Sequence, residues 1–165
     1  MEPKTLTLTE VRMIDRRDED PLQRWDRNFS ELLQELRVAQ TGVQILFAFL
    51  LTIPFSSRFM EETTSFQRGV YVFTVVTTAL SMALLIAPVS YHRQVFQQGR
   101  KPELVMTASI MAKAGLAVML LAVMGAVYLA LEVVTGFGWA GWIVGGLAAV
   151  YVFLWYVLPR LNARA

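Results

Sequence analysis

The chain predicts an all-α polytopic membrane protein, four transmembrane helices preceded by a cytoplasmic amphipathic helix. Three observations carry that prediction. Apolar stretches at 38–55, 70–89, 114–131 and 139–158 each approach the roughly 20 residues that cross a bilayer. Hydrophobic residues make up 55% of the 165 and charged residues 17%, with a mean hydropathy of +0.47, outside the usual range of a soluble domain. Lipid, finally, obliges every span to satisfy its backbone internally, which a bundle of helices does.

Residues 1–20 mix charges of both signs without a sustained period, as in Asp15-Arg16-Arg17-Asp18-Glu19-Asp20, and read as a mobile tail. They are too polar to hold the apolar core of a cleavable signal peptide, so the first span is expected to stay in the mature protein. Asp20-Pro21, with Gln23 behind it, is a helix start: a capping oxygen and a proline at the first helical position. From there Trp25, Phe29, Leu32, Leu33 and Leu36 recur at steps of three and four. That spacing predicts an amphipathic helix over 21–37, docked on the membrane surface or on a protein neighbour.

A transmembrane bundle over 38–159 follows, with spans near 38–57, 69–90, 104–134 and 139–159 and a cytoplasmic tail over 160–165. Pro54 and Pro88 stand near the ends of the first two spans, where a missing backbone donor costs least. The connection at 135–138 is only a Gly-containing turn, so spans three and four are expected to form a close antiparallel hairpin. Small residues suit close packing, within the bundle or between copies, with Ala114, Ala122, Ala126 and Ala130 on span three and Gly141, Gly145 and Ala149 on span four.

With the N-terminus inside, the cytoplasmic side holds seven Lys and Arg in the head, three in the middle loop and two at the end, against Arg58 and Arg68 opposite. The positive-inside rule therefore places both termini in the cytoplasm. Trp139 and Trp142 at one face, and Trp155 and Tyr156 at the other, fit aromatic belts on span four.

Several chemistries are disfavoured. No Cys occurs, which removes disulfides and thiolate metal ligands, and the single His92 disfavours zinc. Glu31 and Glu35 lie one turn apart, but no Glu-x-x-His partner completes a carboxylate metal site. No nucleophile–base constellation or phosphate loop is present, so neither catalysis nor a cofactor is expected. A net charge of +2, scattered over head and loops, argues against nucleic acid as a partner.

The functional candidates are polar groups at membrane depth. Ser30, Gln34, Arg37, Gln40, Thr41, Gln44 and Thr52 share one sector of the first helix. Of these, Arg37, Gln40, Thr41 and Gln44 either line a path for a monovalent cation or proton or hydrogen-bond neighbouring helices. On span two, Tyr71, Thr74, Thr77, Thr78 and Ser81 form a hydroxyl face able to answer the amides of span one. Lys113 falls at the cytoplasmic boundary if the spanning part of the third segment is 114–135, a register that sets Glu132 at the outer interface. The alternative pairs Lys113 with Glu31, Glu35 or Glu103 as a gate on the polar stripe. His92, Arg93, Arg100 and Lys101 form an interfacial loop able to hold an anionic lipid headgroup.

With ELLQELRVAQTGVQILFAFLLTIPF at 31–55, PVSYHR at 88–93 and GRKPELV at 99–105, the chain resembles an uncharacterised family of small actinobacterial membrane proteins carrying a domain of unknown function. The resemblance covers about 28–135 and rests on the run around Glu35, Arg37, Gln40, Gly42 and Gln44. It implies four spans in a bacterial inner membrane, and the automatic labels of some relatives imply sodium:proton exchange. The residues themselves supply no acidic group near the midplane. Two functions are therefore expected in order: a non-catalytic oligomeric subunit or organiser of a membrane complex, partnered by lipid and by a second copy or another membrane protein; or, alternatively, a small cation or proton conduit.

Overall fold

The structure, a computed structural model, describes residues 21–95, 101–135 and 138–162; the charged tail and the capping Asp20 lie outside them. These residues form helices and short turns without a strand, and four of the helices are long and apolar enough to cross a membrane. The all-α fold expected from the apolar stretches is thus the fold observed.

Helix α1, Pro21–Thr52, runs without a break for 32 residues, so the amphipathic segment and the first span are one rod about 48 Å long. Leu, Gln, Glu and Arg dominate its first half and no glycine occurs before Gly42, leaving no residue that would favour a break at the membrane surface. A tight turn at Ile53–Phe55, with Pro54 inside it, ends the rod. The following segment contains a short helix α2, Ser57–Glu62.

Helix α3, Ser65–Val95, starts from a reciprocal cap: Gln67 N–H donates to Thr64 Oγ1 at 3.2 Å and Thr64 N–H donates to Gln67 Oε1 at 2.8 Å. Pro88 lies inside α3 instead of ending it, because the helix continues past it to His92 and Arg93. Helix α4, Lys101–Thr135, is 35 residues long. A turn through Gly138, at φ 122° where a side chain would be strained, leads to α5, Trp139–Val152. A wide π turn at Phe153–Val157 precedes the short α6, Leu158–Asn162. Pro159 offers no N–H to the Trp155 carbonyl, and in that stretch Leu158 N–H reaches back five residues to the Phe153 carbonyl.

Two levels of charge bound the bundle. Leu36 and Ala112 share one core cluster, which sets Arg37 level with Lys113. Ile53 and Glu132 line one cavity and mark the other level. Between them α1 carries no charge for about 24 Å and α4 for about 28 Å, close to the thickness of a hydrocarbon core. Lys113 is exposed at the edge of this belt, where its stem can snorkel. Beyond that level, α1, α3 and α4 continue together as an extended end, opposite a short-loop end that carries α2 and Gly138.

The extended end corrects the reading of the amphipathic stripe as a membrane-docking surface. Phe29 and Leu36 are buried within the chain: Phe29 packs with Leu104 and Ala108, while Leu32 and Leu33 are half-buried beside them and Trp25 is partly covered. The stripe is consumed by α4 and the end of α3 because those helices also outrun the bilayer and offer apolar residues at the same height. Opposite the stripe, Arg27 and Glu31 form an exposed pair at 3.8 Å, worth no more than about 0.5 kcal/mol.

Span four departs further from expectation. In α5 only Ala140 is buried, no residue of the π turn or α6 is, and Gly141, Gly145 and Gly146 have nothing within 4 Å of a Cβ built on them. The hairpin with α4 closes at its turn and then opens. In lipid no hydrophobic force drives one apolar helix onto another, so only shape and hydrogen bonding can close it.

Candidate functional site

The best-packed contact in the molecule joins α3 to α4, and glycines make it. A Cβ on Gly115 would meet Leu85 Cδ2 and Cγ at 2.9 Å and Leu84 Cβ at 3.2 Å; one on Gly125 would land on Thr74 Oγ1, with Thr74 Cβ at 3.3 Å. Ser81 Oγ crosses the same interface to donate to the Gly115 carbonyl at 2.9 Å. Thr74, Thr78 and Ser81 are accordingly fully buried. This corrects their expected role as partners of the amides on span one. Two of them are turned to span three, and the threonines spend their hydroxyls on their own helix: Thr74 Oγ1 donates to Val70 O at 2.7 Å and Thr78 Oγ1 to Thr74 O at 2.6 Å.

Helix α1 meets α3 by two other hydrogen bonds. Gln40 Nε2 donates to the Leu85 carbonyl at 2.8 Å, and Tyr71 Oη donates to the Leu50 carbonyl at 2.9 Å. Leu85 is the neighbour of Leu84, whose carbonyl Pro88 deprives of its ordinary helical donor, so Gln40 reinforces α3 where its ladder is weakened. Replacing Gln40 by Leu is expected to cost about 1 kcal/mol, read as a lower unfolding midpoint in mixed micelles. An unchanged midpoint would mean that the bond adds nothing in lipid.

The rest of the stripe does not converge. Arg37, Thr41 and Gln44 are exposed, and Thr41 Oγ1 returns to the Arg37 carbonyl at 2.9 Å. Only Gln40 is turned partly inward, so within one chain these residues do not line a passage. Lys113, exposed on α4, joins none of them through a hydrogen bond or ion pair given by the structure. Among the residues considered for a lipid headgroup, His92 stacks on Phe29 with ring centroids 4.6 Å apart and planes at 28°. Arg93 is exposed, whereas Arg100 and the side chain of Lys101 lie outside the described residues. Among the described residues no group of three or more His, Cys, Asp or Glu is arranged to hold a metal ion.

A more concentrated site lies at the short-loop end. Between α1, α2, the start of α3 and the end of α4 is a cavity of about 310 Å³, almost wholly apolar and lined at its deep side by Leu46, Leu50 and Ala126. It adjoins a wider, more polar chamber of about 600 Å³ lined by Ser56, Glu62 and Glu132; Phe59, Thr63 and Gln67 belong to both. Glu132 is only 7% exposed, and its Oε2 has no hydrogen-bond partner. A carboxylate held this way is costly, which sets it apart from an ordinary interfacial acid. The sequence places Glu132 at a membrane boundary but does not single it out as a site; the available signal was that it is the sole acidic residue after Glu103 in α4.

A family described as a family of unknown function, DUF6328, matches residues 18–159. No curated protein and no solved structure matches the chain. Since the matched segment takes in all four apolar helices, the glycine-made contact and the buried Glu132, the protein belongs to the DUF6328 family of unknown function.

Proposed function

We propose that the protein is a non-catalytic, self-associating membrane subunit, working in a bacterial cytoplasmic membrane with both termini inside. The carrying observation is the polar face of α1, where Thr41, Gln44 and Thr52 stand exposed within the charge-free belt. A carboxamide facing lipid is unfavourable, and a second copy relieves it directly because the group carries both donors and an acceptor. A twofold arrangement lets two Gln44 side chains satisfy each other without a foreign partner. The uncovered Gly141, Gly145 and Gly146 face of α5 supports the same reading, since small residues admit close backbone approach.

A cation or proton conduit is the second reading, and the same face qualifies it. With Thr41 and Gln44 directed away from the chain's own core, a path along them forms only between copies. Assembly is therefore tested first, by the mass of the purified protein in mild detergent and by subunit counting in lipid nanodiscs. The native chain is expected as a defined oligomer and Gln44→Leu as predominantly monomer. A monomeric native protein under both conditions sinks the proposal. Should oligomers form, proton and sodium flux in proteoliposomes separates the two readings: a conduit loses flux in Gln44→Leu, whereas a non-conducting subunit shows none in the native chain.

A further inference from the structure

The unpartnered carboxylate at the short-loop end has a chemistry of its own, independent of assembly. Two polar groups beside it are already committed. Thr63 Oγ1 donates to the Phe59 carbonyl and accepts from Arg68 Nε at 3.2 Å, while Gln67 Oε1 caps α3 through Thr64 N–H. Glu132 also lines the polar chamber, and its Oε2 is buried without a hydrogen-bond partner. The apolar chamber continues from there toward the bundle's middle, reaching Ala126 about 9 Å further down α4.

We propose that these adjoining chambers bind an amphiphilic organic monocation, a protonated amine with a hydrocarbon body, with Glu132 receiving the ammonium group and the apolar cavity the body. Three features select this class. A buried carboxyl group without a hydrogen-bond partner gains most from a cation that also donates hydrogen bonds. The apolar cavity, about 310 Å³, has the volume of a small-molecule pocket and is wasted on a bare metal ion. A metal ion also demands several converging ligands, and among the described residues no group of three or more His, Cys, Asp or Glu is arranged to hold one. The gradient matches the way an amphiphilic amine sits in a bilayer, head at the boundary and tail below. Access is lateral, because the wall residues Phe49 and Val133 are 69% and 82% exposed.

The test compares decylammonium, decanol and decanoate, which share one tail, binding to the full chain in nanodiscs of zwitterionic lipid, with empty discs subtracted. Saturable decylammonium binding at least about tenfold tighter than decanol is expected, with decanoate weakest. Glu132→Gln should erase the difference between amine and alcohol. Ala126→Phe, which fills the apolar cavity and leaves the carboxylate, should abolish saturable binding of both. Equal affinity of the native chain for decylammonium and decanol, or no saturable binding, overturns the proposal, as does a preference that survives in Glu132→Gln. The native comparison and Ala126→Phe decide the matter even if Glu132→Gln fails to fold.

Discussion

Gly125→Ala is expected to destabilise the bundle by about 1–3 kcal/mol, and Gly125→Leu by more. The new Cβ lands on Thr74 Oγ1, and Thr74 is completely buried with its hydroxyl bonded to Val70 O. Rotating the hydroxyl away breaks that bond, while keeping it pushes α3 off α4 and loosens the Ser81 contact to Gly115. Glycine elsewhere behaves differently: at Gly69 a Cβ meets nothing within 4 Å, so Gly69→Ala should be neutral or stabilising. The check is the unfolding midpoint of each variant in mixed micelles. If steric overlap is the cause, Thr74→Ala must recover most of the loss in Gly125→Ala, a coupling that a double-mutant cycle reads directly. Equal losses at Gly125 and Gly69 would refute the close-approach account.

Phe29→Ala should cost about 3–5 kcal/mol, more than Leu50→Ala, although Leu50 is the more deeply buried at 2% exposure against 6%. The reason is the solvent each side chain leaves. Phe29 stands about 12 Å beyond Arg37 on the extended end, among exposed Asp26, Arg27, Glu31 and Glu35, and its burial against Leu104 and Ala108 removes apolar surface from water. Leu50 lies in the charge-free belt, where the separated helix still sits in lipid, so only packing contacts are lost. Thermal unfolding of both variants in nanodiscs makes the comparison. A smaller loss at Phe29 than at Leu50 would place the extended end inside the membrane.

Much of this architecture was legible because it follows from composition. The apolar lengths and the sparse charge within them are properties of single segments, and the bilayer imposes one solution on each. The apolar stripe of Phe29, Leu32, Leu33 and Leu36 was legible as a stripe, but its partner was not: membrane, foreign protein and the chain's own α4 present the same chemistry to a leucine. Likewise the hydroxyls of Thr74, Thr78 and Ser81 marked a face without saying which helix it meets. That depended on Gly115 and Gly125, which became decisive only when found opposite Leu85 and Thr74.

The candidate site divides in the same way. Gln40 and Gln44 stand four residues apart and look alike in sequence, yet one is held by the Leu85 carbonyl and the other is exposed. Glu132 read as an interfacial acid because its position along α4 falls at the end of the span. It shares its chamber with Ile53, Phe59 and Thr63, far away in the chain, and no local pattern records that.

By itself, the sequence determined that the chain holds four helices long and apolar enough to cross a membrane, where the charged levels fall along each helix, and which residue types are absent from its chemistry. Those outcomes rest on transfer between water and lipid, which acts on each segment independently. The tertiary structure alone decided that α3 and α4 form the tight contact, that α5 stays largely uncovered, and that a buried carboxylate lines a chamber adjoining an apolar cavity. Those outcomes rest on close packing and on which groups meet across helices, and lipid, being as apolar as the side chains, leaves shape and hydrogen bonding to choose.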